Sequence, residues 1–281
     1  MKTFKLTILL TIVTLNTILF AGANQMKGKV VTANTPQFKI HSYIGYSGDV
    51  SNIIELDKEL ILIDGQPTFS ATKELESVIK DLNKPVKSMI VASHGIGINN
   101  FDKLLIAGSA EMEKFIASGS AQVFIDAFSQ RFGEDMIKEI LEMKPVLKEG
   151  KNTLSGLDVK VKTHADDFPP CSDLYFDDGK VIFTHLAANN THLLMSNPAK
   201  LPELVEFWEK AQDADYVMSS HLQVIEKPGI EFTLKYVEKA QEVYKEAQSK
   251  EEFMAKMTKA FPSAGMDFFL AMTADNFYKQ N

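Results

Sequence analysis

IIELDKELILIDG, residues 53–65, is the stretch that decides the fold. Its second half, Leu60–Ile63, is a short apolar run that ends in Asp64-Gly65. Short apolar runs separated by turn residues predict strands joined by hairpins. Three such runs occur here, with Ser47-Gly48-Asp49 and Asp57-Lys58 between them: Phe38–Ile44, Asn52–Leu56 and Leu60–Ile63. The domain is therefore expected to begin with consecutive hairpin-connected strands.

Helices and strands alternate along the rest of the chain. Leu75, Val78, Ile79 and Leu82 share one helical face, and Ser88–Ala92 is a short apolar strand. Residues 111–147 are mostly helical by pattern, with a break at 118–120. Further strands are expected at Val159–Thr163, Leu174–Phe176, Val181–Thr184 and Tyr216–Ser219, and helices at Leu201–Ala211, Glu251–Met257 and Met266–Phe277. With no low-complexity linker or repeat, the pattern predicts one α/β domain, a sandwich of mixed sheets covered by helices.

The composition excludes two classes of protein. Hydrophobic residues make up 45% of the 281 positions, which is too much apolar material for a disordered chain. Acidic residues outnumber basic ones by 37 to 30, and Arg131 is the only arginine. Nucleic-acid binding normally requires a basic stripe with arginine forks. We therefore expect no nucleic-acid partner.

The N-terminus has the three-part layout of a secretory signal peptide. Lys2 and Lys5 precede the apolar run Leu6–Phe20, and Ala21-Gly22-Ala23 is a small-x-small cleavage site. The alternative is a membrane anchor, but the run of about 15 residues is shorter than the roughly 20 that span a bilayer. We expect a signal peptide over residues 1–23, a mature domain over 24–281 without a membrane span, and a periplasmic or secreted location.

Four segments, in order, resemble the metallo-β-lactamase family. Ile53–Gly65 resembles its opening hairpin, and Val86–Asn99 lies where the family has a strand followed by Thr-His-x-His-x-Asp-His. Leu157–Asn190 and Tyr216–His221 resemble the strands that carry the later metal ligands. The resemblance implies a four-layer αββα sandwich. The Phe261-Pro262-x-x-Gly265 turn is similar to a subgroup of metallo-hydrolases with extra C-terminal helices, here about residues 229–281.

The resemblance also implies a metal loop, and in this chain that loop is degenerate. Its first histidine is kept as His94, whereas the second histidine is Ile96, the aspartate is Ile98 and the last histidine is Asn99. Isoleucine cannot coordinate a metal ion, and too few donors remain for two divalent ions. A dinuclear zinc centre is therefore not expected.

A single metal site is still conceivable from the residues that occupy the other ligand positions. By the same resemblance the third-histidine position falls on Asp166 or Asp167, the bridging aspartate on His185, and the final histidine on His221. Together with His94, these side chains could bind one zinc or iron ion. The alternative is that they are remnant polar side chains that form hydrogen bonds and do no chemistry.

The sequence contains further residues that bear on the same pocket. Cys171 is the only cysteine, so no intrachain disulfide is possible, and a lone thiol is expected to be buried and inert unless a neighbouring base activates it. His41, on a strand, is expected at the surface, and Asp64 is expected to be structural. The predicted pocket lining is Ile96, Ile98, Asn99, Asp167, Cys171 and His192.

Two functions follow, and whether the chain is an enzyme stays open. The leading hypothesis is a non-catalytic or altered relative that binds a small molecule or a partner in the old active-site cleft. The alternative is a mononuclear metal-dependent hydrolase of esters, amides or lactones that uses His94, Asp166, His185 and His221. Thiol chemistry at Cys171 is a remote third option.

Overall fold

Two mixed β-sheets lie face to face in the computed structural model, which describes residues 28–93, 104–140, 143–167 and 169–279. The first sheet has its strands in chain order. β1 to β4 are antiparallel neighbours, and β4 to β7 are parallel neighbours. Its strands are β1 (Lys29–Asn34), β2 (Lys39–Ile44), β3 (Val50–Glu55), β4 (Leu60–Ile63), β5 (Val86–Val91), β6 (Leu105–Ser109) and β7 (Lys144–Leu147).

The second sheet has the order β13-β12-β11-β10-β9-β8. Only the β11–β12 pair in this order is parallel, and the other pairs are antiparallel. Its strands are β8 (Gly150–Leu154), β9 (Leu157–His164), β10 (Cys171–Phe176), β11 (Val181–Thr184), β12 (Tyr216–Ser219) and β13 (Ile225–Glu226).

Helices cover the outer face of each sheet. They are α1 (Phe69–Asp81), α2 (Ala110–Ala117), α3 (Gln122–Phe132), α4 (Leu201–Lys210), α5 (Lys227–Glu246), α6 (Lys250–Ala260) and α7 (Asp267–Phe277). The side chains of Thr68, Ser109 and Ser249 accept backbone N–H bonds at the starts of α1, α2 and α6, as N-cap residues do. Within the described ranges, no helix is long and apolar enough to cross a membrane.

The strand β4 shows why the layers form. Its four residues are all buried, and successive side chains point to opposite faces of the sheet. Ile61 and Ile63 pack in the core between the sheets. Leu60 and Leu62 pack in the outer core, with Leu75 of α1. A continuous apolar run is thus what a strand covered on both faces requires.

The second sheet is covered in the same way. Ile182 and Val217 face an outer core that contains Trp208, Tyr236 and Phe253, from α4, α5 and α6 respectively. The order helix, sheet, sheet, helix is the predicted αββα sandwich, and its C-terminal helices α5 to α7 lie on the second sheet. The predicted fold class is confirmed.

Two expectations within the fold were wrong. The helices expected within residues 111–147 are present as α2 and α3, with the break at 118–120 between them and a 3-10 turn at Gly133–Asp135. The helical pattern does not extend to residue 147, because Lys144–Leu147 is the strand β7, which pairs with β6. Pro145 lies in this segment, and proline removes a helical hydrogen bond and clashes with the preceding turn. His41 is buried rather than on the surface, between the Thr32 hydroxyl and the Glu55 carboxylate.

Candidate functional site at the strand ends

Two histidines meet at one edge of the second sheet. β11 and β12 are parallel neighbours, with Thr184 paired to Ser219, and His185 and His221 follow their carboxyl ends. The two imidazole ring centroids lie 5.3 Å apart with the rings tilted by 46°. Both residues are partly exposed. Parallel pairing therefore brings together two side chains that are far apart in sequence.

The separation of the two rings suits a shared metal ion. Zn–N bonds are about 2.0–2.1 Å long, so two imidazoles on one tetrahedral zinc have ring centroids about 5 Å apart. His185 and His221 meet that condition with 5.3 Å. The donor chemistry of this pair thus fits one zinc or iron ion, provided that further ligands complete the site.

Asp49 lies beside this pair. It belongs to the turn between β2 and β3, and its Oδ1 is 3.7 Å from Nδ1 of His221. Arg131, at the end of α3, is close enough to Asp49 for their charges to interact. Burial lowers the pKa of Arg131, and Asp49 acts against that shift. The histidine pair thus has a carboxylate beside it, and that carboxylate interacts with Arg131.

The C-terminal helix α7 supplies an aromatic neighbour. The ring centroid of Phe269 is 6.4 Å from that of His221, in an edge-to-face arrangement. We call His185, His221, Asp49 and Phe269 together the histidine site. It combines two imidazoles, one carboxylate and one apolar ring.

A buried carboxylate holds the strand ends around this site. Asp64, directly after β4, accepts hydrogen bonds from the backbone N–H of Ala92 (2.8 Å) and of Ser93 (3.2 Å). It also accepts from the hydroxyls of Ser93 (2.6 Å) and Ser220 (3.2 Å). Asp64, Ser93 and Ser220 are fully buried. The structural role expected for Asp64 agrees with these contacts.

Hydrogen bonds to backbone carbonyls join the two sheets at the same edge. The backbone N–H of Val50 donates to the carbonyl oxygen of Ser220 at 2.8 Å, and the side-chain amide of Asn52 donates to that of Ser219 at 3.0 Å. The N–H of Ser172 donates to the carbonyl oxygen of Ala92 at 2.7 Å. The site edge is thereby fixed by hydrogen bonds as well as by packing.

Cys171 belongs to a separate polar cluster. Its thiol donates to Oδ2 of Asp167 at 3.3 Å, and Oδ1 of Asp167 accepts from Lys200 at 2.5 Å. Burial raises the pKa of Cys171 well above its usual value, and the negative charges of Asp167 and Asp173 raise it further. A thiol held in the neutral form is a poor nucleophile. The cluster supports the inert interpretation of Cys171.

His192 lies inside the molecule, beneath the C-terminal helices. Its Nδ1 shares a hydrogen bond with the Tyr236 hydroxyl at 2.9 Å, and its Nε2 lies 3.7 Å from Oδ1 of Asp267. Burial lowers the pKa of His192, and Asp267 partly offsets this. Its side chain is 1% exposed. The predicted role of His192 as a pocket-lining residue stays a prediction.

Only some of the remaining predicted site residues lie within the part of the chain that the structure describes. His94, Ile96, Ile98 and Asn99 lie outside the described residues. Asp166 is exposed in the turn after β9. Across the parts of the chain that the structure describes, no group of three or more His, Cys, Asp or Glu side chains could hold a metal ion. The structure therefore brings His185 and His221 together as a pair, and the four-residue ligand set stays a prediction.

Comparison with known proteins identifies the fold. The sequence matches no protein-family model, and no curated protein matches it. Solved structures do match. A metallo-β-lactamase from Pontibacter korlensis is 16% identical with a TM-score of 0.51, over 75% of this chain and 99% of its own. The enzyme FIM-1 from Pseudomonas aeruginosa, in its mono-zinc form, is 13% identical with a TM-score of 0.51, over 78% and 99%. The chain has the metallo-β-lactamase fold.

A larger protein of another activity aligns over more of the chain. The stereoselective inverting sec-alkylsulfatase Pisa1 from Pseudomonas sp. is 13% identical with a TM-score of 0.61. It covers 89% of this chain, which spans 50% of the sulfatase. The metallo-β-lactamase fold is thus shared by β-lactamases and an alkylsulfatase, and it does not by itself assign an activity.

Two members of the histidine site were not singled out from the sequence. In the sequence, Asp49 is recognisable only as a turn residue, and Phe269 only as part of a helical segment. A turn aspartate carries no signal of its spatial neighbours. The contact of Phe269 with His221 depends on how α7 packs on the loop after β11.

Proposed function

We propose that this chain is an exported protein that binds a small molecule at the histidine site and lacks two-metal chemistry. The observation that carries the proposal is the partly exposed pair His185 and His221, 5.3 Å apart at the strand ends. In open α/β architectures, ligands bind at the carboxyl ends of parallel strands. The predicted signal peptide, residues 1–23, supports the export part of the proposal.

The loss of two-metal chemistry rests on the degenerate loop. Ile96, Ile98 and Asn99 stand where the family resemblance implies metal ligands. An alkyl side chain offers no lone pair to a metal ion, so a second ion would lack its ligands. The site then keeps a polar, hydrogen-bonding wall without the paired ions.

A second candidate function is a mononuclear metal-dependent hydrolase, which the geometry of the histidine pair favours. His185 and His221 would hold the ion, with His94 and Asp166 as the further predicted ligands. A bound zinc or iron ion supplies Lewis-acid catalysis and activates water, which suits hydrolysis of an ester, amide or lactone. Asp49, 3.7 Å from His221, would then help to orient that imidazole.

Metal content tests the two candidates. The chain from Asn24 to Asn281 is loaded with zinc or iron, desalted, and analysed by elemental mass spectrometry beside His94→Ala, His185→Ala, His221→Ala and Asp166→Asn. We expect fewer than two ions per chain. One ion that is lost in the histidine variants would favour the hydrolase, whereas two ions per chain would overturn the proposal.

Ligand binding is tested by thermal stabilisation. A panel of small carboxylates, esters and lactones is screened for compounds that raise Tm, since a ligand that binds only the folded state stabilises it. We expect a hit whose effect disappears in His221→Ala. A panel that stabilises neither the metal-loaded nor the metal-free protein would contradict a ligand-binding role.

A further inference from the structure

We propose that Thr32, His41 and Glu55 form a second site, in which the Thr32 hydroxyl is a nucleophile for the acyl group of an ester. The three residues lie on the neighbouring strands β1, β2 and β3 of the first sheet. Thr32 is paired directly with His41 in the register of β1 and β2. This activity goes beyond the proposed ligand binding and does not depend on the histidine site.

A hydroxyl, an imidazole and a carboxylate follow one another in this row. Oγ1 of Thr32 is 2.9 Å from Nδ1 of His41, and Nε2 of His41 is 2.9 Å from Oε2 of Glu55. A nucleophile, a base and an orienting group within hydrogen-bond reach are the signature of an activated hydroxyl, on whichever fold they occur. Thr32 is exposed, whereas the side chains of His41 and Glu55 are largely buried. The hydroxyl is thus open to a substrate while its base is shielded from water.

The carboxylate sets the roles of the two ring nitrogens of His41. Hydrogen bonds from Lys84 and His41 lower the pKa of Glu55 to about 2, so at neutral pH its carboxylate can only accept hydrogen bonds. Nε2 of His41 therefore carries a proton, and in a neutral imidazole Nδ1 is the acceptor for the Thr32 hydroxyl. A general base requires this arrangement, because it takes the hydroxyl proton as the oxygen attacks.

Glu55 is itself held through its other carboxylate oxygen. Oε1 accepts from Lys84 at 2.7 Å, and the same ammonium group donates to the carbonyl oxygen of Leu56 at 2.7 Å. Nζ of Lys39 lies 3.7 Å from Oε2. Glu55 and Lys84 are thus positioning residues, which keep the imidazole of His41 aimed at the nucleophile as a precise catalytic geometry requires.

Groups that can contact an ester lie on the same face of β1. Side chains alternate along a strand, and Ala33 packs between the sheets, so Val30, Thr32 and Asn34 share the outer face. Val30 is 39% exposed and offers an apolar contact to the acyl chain. The side-chain amide of Asn34 can donate to an oxyanion. Asn34 also lines a cleft of about 850 Å³ at the start of β12, which has room for the rest of the ester.

The reaction is acyl transfer followed by hydrolysis. The Thr32 oxygen forms a bond to the carbonyl carbon of the ester, and its proton passes to Nδ1 of His41. The bond between that carbon and the alcohol oxygen breaks, and the alcohol leaves with the proton from His41. Water then attacks the acyl-threonine in the same way, which releases the acid and restores the hydroxyl.

The test is reaction of the chain from Asn24 to Asn281 with p-nitrophenyl acetate in excess EDTA, which removes metal-dependent hydrolysis at the histidine site. We expect release of p-nitrophenol and an acetyl group on Thr32, located by peptide mass spectrometry. Thr32→Val should react at least about a hundredfold more slowly, and Thr32→Ser should retain the reaction. Thr153→Val is the matched control. Thr153 is also exposed on a strand, but its hydroxyl donates to Asp158, so the rate should not change.

Two further variants test the base and its positioning residue. His41→Gln should remove the solvent deuterium isotope effect on the reaction, and Glu55→Gln should lower kcat with KM unchanged, which a merely structural carboxylate would not do. Melting temperatures report whether these two variants fold, and the exposed Thr32 variants decide the proposal if they do not.

Three results would overturn the proposal: no acetyl group on Thr32, acetylation of lysines alone, or an equal rate in Thr32→Val. A row that only joins the strands would lower Tm in the variants without any adduct on Thr32. The metal analysis and the thermal screen of the histidine site involve none of these residues, so failure here is distinguishable from failure of the proposed function.

Discussion

The hydroxyl oxygens of Ser93 and Ser220 lie 2.5 Å apart, and both hydroxyls also reach the Asp64 carboxylate. Ser93 directly precedes His94 in the sequence, and Ser220 directly precedes His221. One buried carboxylate therefore fixes Ser93, which follows β5 of the first sheet, and Ser220, which follows β12 of the second sheet. We infer that Asp64 is a positioning residue for the histidine site.

Replacing Asp64 by Asn should destabilise the protein by about 2–4 kcal/mol. The amide NH₂ would face donors that now point at a carboxylate oxygen, and a buried unsatisfied group is costly. Asn tolerates the left-handed backbone of this position, φ 55°, so the effect reports on hydrogen bonding rather than strain. Urea unfolding measures it. The exposed Asp166→Asn serves as control, and equal stability of the two variants would refute the prediction.

His192 should make the protein less stable below about pH 6.5. Its folded pKa is lowered by burial, so the unfolded chain binds a proton first as the pH falls. The stabilising contribution is complete above the unfolded pKa and is lost as the pH falls through the folded pKa. Unfolding free energies measured between about pH 7 and pH 5 should show a smaller slope in His192→Gln.

Tyr236→Phe is the matched control for His192. It removes the hydroxyl that contacts Nδ1 but leaves a buried imidazole, so the pH slope should persist although stability falls by about 1 kcal/mol. A slope that is identical in wild type and His192→Gln would show that other groups cause the pH dependence.

Cys171 should not react with an aromatic disulfide reagent in the native protein. The thiol is 5% exposed, and its raised pKa keeps it protonated at about pH 8, where free thiols react. Full labelling is expected once guanidinium chloride unfolds the chain, which is the positive control. Rapid native labelling at one thiol per chain would revive thiol chemistry as a function.

Glu55→Gln should destabilise the protein at about pH 7 by roughly 1–3 kcal/mol. Hydrogen bonds from Lys84 and His41 lower the pKa of Glu55 to about 2. The stability it contributes is present above about pH 4.5, its unfolded value, and is lost as the pH falls toward 2. The difference from wild type should therefore shrink on acidification. Glu238→Gln, exposed on α5, should show no comparable trend.

The sequence predicted the strands best where burial is two-sided. Leu60–Ile63, Val181–Thr184 and Tyr216–Ser219 have the predicted bounds, because continuous apolar runs with turns on both sides leave few alternatives. β1 and β8 were missed. Their side chains are largely exposed or half-buried, so they carry no apolar run. Their pairing with β2 and β9 makes them strands.

Only those residues of the histidine site that follow strand ends could be predicted from the sequence. His185 and His221 were selected as residues after two strand ends, and parallel pairing places them side by side. Asp49 and Phe269 join them through a turn and a distant helix, which local patterns do not encode. Asp49 and Phe269 are far apart in the sequence, and only tertiary packing brings both of them next to His221.

The hydrogen bond from Asn52 to Ser219 affects the order in which parts of the protein fold. It joins residues 167 positions apart, and the bond between Val224 and Ser42 spans 182. Closing loops of this length costs chain entropy before any contact can compensate for it, so such contacts form late. We expect the hairpins β2 to β4 to fold early and the histidine site to assemble last. A nascent chain that ends before Ser219 would contain most of both sheets and no site.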